Sequence, residues 1–153
     1  MEHDHPDIVV RPPLLYGGAL AATLVLRWLA PWPMDGGTTG ILLGIALVGL
    51  GLALGVPGRR ALAAAGTDVN PTRPTTALVT TGSYRLSRNP LYVGLTAMFV
   101  GLTLAVDTWW GLVWLAPVLV VLHHGVILRE EEYLARKFGE RYREYCGGVR
   151  RYL

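Results

Sequence analysis

The sequence predicts an all-α integral membrane protein, with about four transmembrane helices and a C-terminal amphipathic helix on the cytoplasmic side. Three observations predict it. The 153-residue chain is 52% apolar and only 16% charged, with a mean hydropathy of +0.37. Its apolar residues fall in four blocks, the pattern of spans and not of an ordinary soluble core. Its Lys and Arg residues lie almost all on one side of those blocks, as the positive-inside rule requires. The length suits one domain, so 1–153 is read as a single membrane domain.

The elements follow in order. Residues 1–13 are polar, without the basic stretch of a cleavable signal peptide. His3, Asp4 and His5 are metal-capable types, but the reading that fits them is a solvated tail. Pro12 and Pro13 suit the start of a helix. Block 14–30 is apolar except for Arg27, which can snorkel to an interface beside Trp28 and Trp32. Pro31 and Pro33 end it, and 34–39 form a turn. Block 40–56 carries Gly44, Gly51 and Gly55, small-residue spacings that let helix backbones approach closely within the chain. Residues 57–90 are read as a long cytoplasmic loop with Arg59, Arg60, Arg73, Arg85, Arg88 and a single acid, Asp68. Leu78, Val79 and Tyr84 give it apolar anchors, so a folded loop is expected. Block 91–106, with Pro90 at its start, and block 109–128 form a second hairpin (91–128) to match the first (14–56). Asp107 and Thr108 make its turn, and Trp109, Trp110 and Trp114 an interfacial belt. Residues 129–143 read as one charged amphipathic helix, with Leu134, Phe138 and Tyr142 on a shared face. The tail to 153 is basic with a Gly-Gly break.

Four spans put both termini and the long loop on one side. Of the 14 Lys and Arg residues, all but Arg27 fall there, so that side is expected to be cytoplasmic, and the location a bacterial inner membrane. Cys146 stands alone, which excludes an internal disulfide and a cysteine-cluster metal site. No metal and no nucleic-acid partner is expected: the basic residues flank apolar blocks, as suits anionic lipid headgroups.

The short second hairpin makes neighbours of the polar segments 73–92 and 129–145. Polar groups gathered at one depth of a membrane protein mark a site. Glu130, Glu131 and Glu132 point about 100° apart on a helix, so at least one carboxylate turns inward, where it suits an ammonium-bearing ligand. Pairing with Arg136 or Lys137 on a solvated face is the even alternative. His123 and His124 do not share a helix face, so they are a candidate base or interfacial residues, not a metal pair. Phosphate-binding glycine loops, Ser/His/Asp sets and metal-ligand spacings are absent.

Three segments carry a resemblance. They are Thr76-Ala-Leu-Val-Thr-Thr-Gly-Ser-Tyr84, then Arg88-Asn-Pro-Leu-Tyr92-Val-Gly94, then Glu130-Glu131 followed by Leu134, Phe138, Gly139, Tyr142 and Tyr145. In order and spacing they resemble the isoprenylcysteine carboxyl methyltransferase and phospholipid methyltransferase families. The resemblance implies a multi-span enzyme using S-adenosylmethionine (S-adenosyl-L-methionine), held by Thr76, Ala77, Leu78, Val79, Tyr84, Asn89, Pro90, Leu91, Tyr92 and Glu130. The candidate catalytic residues are Arg88, Asn89, Glu131 and His124. The implied partners are membrane lipids and a lipophilic acceptor: an isoprenylcysteine-like carboxylate, a lipid amine or a small thiol.

The chain departs from the family twice. Asn89 stands where the family usually has His before Pro, and Asn takes up no proton near neutrality. Val126 stands where the isoprenylcysteine enzymes carry an Arg one turn before the paired acids. The rival reading is a non-catalytic membrane scaffold or sensor that keeps the fold. A small transporter is a weaker third, since no span carries an acid at its centre.

Overall fold

Pro12 and Pro13 open the first helix, their fixed φ and missing N–H suiting the first turn, and α1 runs Pro12–Leu29. The computed structural model describes residues 6–68, 70 and 73–153. The readings of His3, Asp4 and His5, and of the loop at 69, 71 and 72, lie outside the described residues. After α1 come α2 (Gly37–Ala64), α3 (Pro90–Ala105), α4 (Trp110–Leu122), α5 (Leu128–Phe138) and α6 (Glu140–Gly148). A 3-10 turn, Gly82–Arg85, precedes α3, and a π turn, His123–Ile127, joins α4 to α5. The described residues contain no strand.

α2 corrects the expected loop boundary at 57: the helix passes through Pro57 and ends at Ala64. Proline removes one helix N–H and crowds the preceding turn, yet the disturbed turn is put to use. Ser83 Oγ donates to the Leu54 carbonyl at 2.7 Å, and the absent side chain of Gly58 leaves room for Leu91 and Pro90.

Glycines set the packing of α2 on α3. A Cβ on Gly51 would lie 2.5 Å from the Gly94 carbonyl oxygen, and one on Gly44 2.5 Å from that of Gly101. The backbones therefore touch at two points seven residues apart on each helix. Gly55 is not one of them, having open space where its Cβ would be. The small-residue face packs within the chain as expected, through Gly44 and Gly51 and not through the Cβ position of Gly55.

α1 lies across α3 and α4. Tyr16, Ala19, Phe99, Val118, Leu122, Val126 and Ile127 form the core between them. Tyr16 meets Phe99 edge-on at 5.8 Å and hydrogen-bonds Thr96 Oγ1 at 2.6 Å. At the far end Trp32 packs on Trp110, Trp110 Nε1 donates to the Ala30 carbonyl, and Asp107, at φ +53°, accepts from the Gly36 amide.

The outer surface is apolar: Leu42, Leu43, Ile45 and Leu52 on α2 and Val113 and Val120 on α4 are exposed. Among the described residues two helices are long and apolar enough to cross a membrane, Gly37–Ala64 and the continuous rod Trp110–Phe138. Of the four expected spans, the other two correspond to α1, with 18 residues, and α3, with 16. At 1.5 Å per residue these reach about 27 and 24 Å, against a hydrocarbon core of about 30 Å.

The expected single helix over 129–143 is broken. Gly139 takes φ +54°, a conformation glycine adopts without a Cβ penalty, and α6 starts afresh at Glu140. Gly147 and Gly148 stay outside any break, because α6 includes Gly148 and stops at Val149.

Candidate functional site

A proline at the first helical position disfavours helical geometry in the residue before it. Asn89, at φ −127° and ψ 50°, accordingly turns the chain sharply into α3. The turn aims Tyr92 at the start of α5, where its hydroxyl donates to Glu130 Oε1 at 2.6 Å. This bond ties two segments 38 residues apart in the chain.

Around that pair lies a pocket of about 810 Å³ including its open mouth. One wall is the segment that follows α2. Thr67 is buried, and its Oγ1 accepts from the Ala77 amide and bonds Thr76 Oγ1. The Thr75 amide donates to Tyr133 Oη, tying this wall to α5. Ala77, Leu78 and Val79 line the cavity. A second wall is Tyr84, whose carbonyl accepts from Tyr145 Oη at 2.6 Å. Arg88, Asn89, Leu91 and Tyr92 continue it, and Glu130, Glu131, Leu134, Tyr142 and Tyr145 close the far side.

The two acids have different surroundings. Glu131 is held by guanidinium groups: Arg88 Nη2 is 2.9 Å from one oxygen, and Arg151 donates through Nε and through Nη2, the latter at 2.8 Å. Glu130 has no cation within ion-pair distance among the described residues. It lies beyond the apolar stretch of its rod, which ends at Leu128. Burial outweighs the Tyr92 hydrogen bond, the Glu131 charge adds to it, and the Glu130 carboxyl is pushed up to about 7. The Tyr84 phenol is raised above its ordinary value, first by burial and then by Glu130.

The structure brings together Ala77, Leu78, Val79, Tyr84, Asn89, Leu91, Tyr92 and Glu130 of the expected cofactor set, and Arg88 and Glu131 of the candidate catalytic residues, in one cavity. Thr76 and Pro90 flank it: Thr76 bonds Thr67 and the Gly66 carbonyl, and Pro90 is buried as the first residue of α3. His124 does not reach the cavity; it is exposed and stacks edge-on against His123. His123 in turn bonds Tyr152 Oη at 2.6 Å. The adjacent histidines had no spacing that tied them to Glu130.

Two contributions went unread in the sequence. Tyr133 positions a wall, and Arg151 holds Glu131. Tyr133 stood among the aromatic positions of the C-terminal helices, a signal for packing only, whereas Tyr145, which fixes Tyr84, is one of the residues that carry the resemblance. Arg151 carried no signal beyond its charge.

No curated protein matches the chain, and no solved structure does. A family model described as phospholipid methyltransferase matches residues 39–141. The match runs from the first turn of α2 into α6 and takes in most of the residues that line the pocket, Tyr92 and Glu130 among them. On that match, and with apolar helices around the site, the chain belongs to the phospholipid methyltransferase family of membrane methyltransferases.

Proposed function

We propose that the protein transfers the methyl group of S-adenosylmethionine to a lipophilic acceptor, and that the pocket around Tyr92 and Glu130 holds the cofactor. The observation that carries the reading is a partly buried carboxylate with no cationic partner among the described residues, in a tyrosine-lined cavity at the end of apolar helices. That donor set fits the cofactor. Glu130 offers a negative charge to an ammonium or hydrogen bonds to ribose hydroxyls. The rings of Tyr84 and Tyr92 offer faces to adenine or to a sulfonium. Backbone groups of 76–79 and 89–91 are available to the remaining polar atoms.

When bound, S-adenosylmethionine supplies an electrophilic methyl group for in-line displacement. The chain's own part is to align, to enclose and to exclude water. Tyr92 holds Glu130 in place, and Arg88 and Glu131 stiffen the wall beside it. Asn89 takes up no proton near neutrality and Glu131 is engaged by two guanidinium groups, so a carboxylate acceptor, which needs no base, is the simplest to serve. A lipid amine or a thiol would have to arrive deprotonated or lose its proton to Glu130 or to solvent. The acceptor enters from the bilayer side and the cofactor from the water side, in a multi-pass arrangement of four spans with both termini cytoplasmic. A C-terminal tag should then react with an impermeant reagent only after right-side-out membranes are opened; labelling of intact membranes would reverse the orientation.

Titration calorimetry of the purified protein with S-adenosylmethionine tests the cofactor. Mass spectrometry of lipid extracts from cells with and without the protein tests the acceptor. Binding without any methylated product would favour the scaffold reading.

The pH dependence separates the two roles open to Glu130. With its carboxyl at about 7, the unliganded site is protonated below that point, while an ammonium ligand requires the carboxylate. Binding then releases a proton, so affinity rises with pH, by nearly tenfold per unit well below about pH 7 and levelling above it. A profile flat between about pH 5.5 and 7.5, measured by calorimetry, would assign Glu130 to the ribose hydroxyls instead.

A further inference from the structure

We propose that Arg151, carried by the C-terminal tail, is a positioning residue of this pocket: it fixes Glu131 and, through the tail backbone, the 87–89 turn, so that Tyr92 and Glu130 meet. The proposal rests on the reading of the pocket as the cofactor site. Arg151 lies beyond the residues matched by the family, 39–141.

Two sets of contacts carry it. The first is ionic. Arg151 forks onto Glu131, Nε lying 3.0 and 3.1 Å from the two carboxylate oxygens and Nη2 2.8 Å from Oε2. Arg88 binds the same carboxylate from the other side. The Glu131 and Arg88 side chains are only 15% and 13% exposed, so these charge-assisted bonds are partly shielded from water and geometrically specific. The second set is made by the tail's main chain. The Arg88 amide donates to the Arg150 carbonyl at 2.9 Å. Ser87 Oγ and Asn89 Nδ2 both donate to the Arg151 carbonyl, at 3.2 and 3.1 Å.

The tail therefore bridges the turn that opens α3 and the first turn of α5. Those are the two segments whose side chains, Tyr92 and Glu130, make the central hydrogen bond of the site. The Asn89 side chain thereby acquires a definite structural role, since its amide holds a tail carbonyl. Without Arg151, Glu131 keeps Arg88 alone, and its charge stands beside Glu130 with half of its compensation gone. The turn meanwhile keeps its backbone contacts, so the side-chain and main-chain parts of the tail can be separated by experiment.

The test is S-adenosylmethionine titration of the full-length protein, wild type against Arg151→Gln, Arg151→Lys, Glu131→Gln and the Arg151→Gln/Glu131→Gln pair. Arg151→Gln is expected to weaken binding by about tenfold, as loss of a partly buried charge partner does, and Arg151→Lys to recover only part of it, since an ammonium keeps the charge but not the fork. In the Glu131→Gln background the Arg151→Gln change should cost less than about twofold, because residues that act through one another are not additive. Unchanged binding in Arg151→Gln, or an equal loss in both backgrounds, overturns the proposal. Hydrogen exchange gives a second measurement that needs no ligand. Arg151→Gln should raise exchange in peptides covering 128–133, and truncation after Val149 should also expose the Arg88 amide. If wild type binds no S-adenosylmethionine, the cofactor reading falls; unchanged exchange in both variants then rejects the tail's positioning role, and raised exchange upholds it.

Discussion

Glu130→Gln is expected to weaken S-adenosylmethionine binding by about tenfold to a hundredfold, the range of a charge-assisted bond worth about 1.5–3 kcal/mol. Gln keeps the shape of the side chain and an acceptor for Tyr92 Oη, so the change isolates the charge. It also removes the rise of affinity with pH, since the titrating carboxyl is gone. Tyr92→Phe removes only the hydroxyl that orients Glu130 and should cost less, on the order of 1 kcal/mol. Calorimetry on purified protein at about pH 7.5 reads both variants. Binding by Glu130→Gln within twofold of wild type would remove the carboxylate from the proposed site chemistry.

The second large effect concerns stability. Gly51→Ala and Gly94→Ala should each destabilise the α2–α3 pair by about 1–3 kcal/mol, as overpacking does. In both cases the obstacle is main chain: the new methyl would stand 2.5 Å from the Gly94 carbonyl oxygen in one and 2.7 Å from that of Gly51 in the other. A backbone pair cannot yield as a flexible side chain can. The two changes face one another, so the double variant should cost less than the sum, because the first has already parted the helices. Gly55→Ala is the control. Its Cβ meets open space, and the exchange gains up to about 1 kcal/mol of helix propensity. Thermal unfolding in detergent, followed by tryptophan fluorescence, distinguishes these outcomes. Equal melting of the Gly51 and Gly55 variants would mean that the close approach is elsewhere.

Much of the helix order was legible because apolar blocks and prolines mark it directly. Pro12 and Pro90 stand at helix starts, where the sequence rules put them. Pro57 misled for the same reason: the rule reads proline as a stop, and a sequence gives no view of Ser83 Oγ reaching the Leu54 carbonyl from 29 residues away. Gly139 was passed over inside an amphipathic pattern that spans it, since spacing by four persists even where the backbone changes hand. Of the three glycines named on α2, Gly44 and Gly51 make the backbone contacts and Gly55 does not, because Gly94 and Gly101 on the partner helix choose which ones matter.

At the site, the loop-to-helix corner and the paired acids were visible as polar residues in an apolar setting. That the two segments are neighbours followed from the short hairpin; the bond that joins them, Tyr92 to Glu130, did not. Which of the adjacent acids faces the cavity without a cation could not be read, because it depends on Arg151, and a residue in a basic tail looks like any other surface charge. His124 shows the reverse case, a reactive residue type near the site in sequence but turned away from it in space.

The π turn at His123–Ile127 has a consequence for how one rod serves two surroundings. A regular helix fixes the angular phase between any two residues along it, so the stripe α4 shows to lipid would dictate the direction in which α5 presents its acids. One widened turn resets that phase. The half that meets hydrocarbon and the half that meets the cavity thereby acquire independent bearings on a single continuous axis, and the pocket's orientation becomes a property of five residues that never touch it.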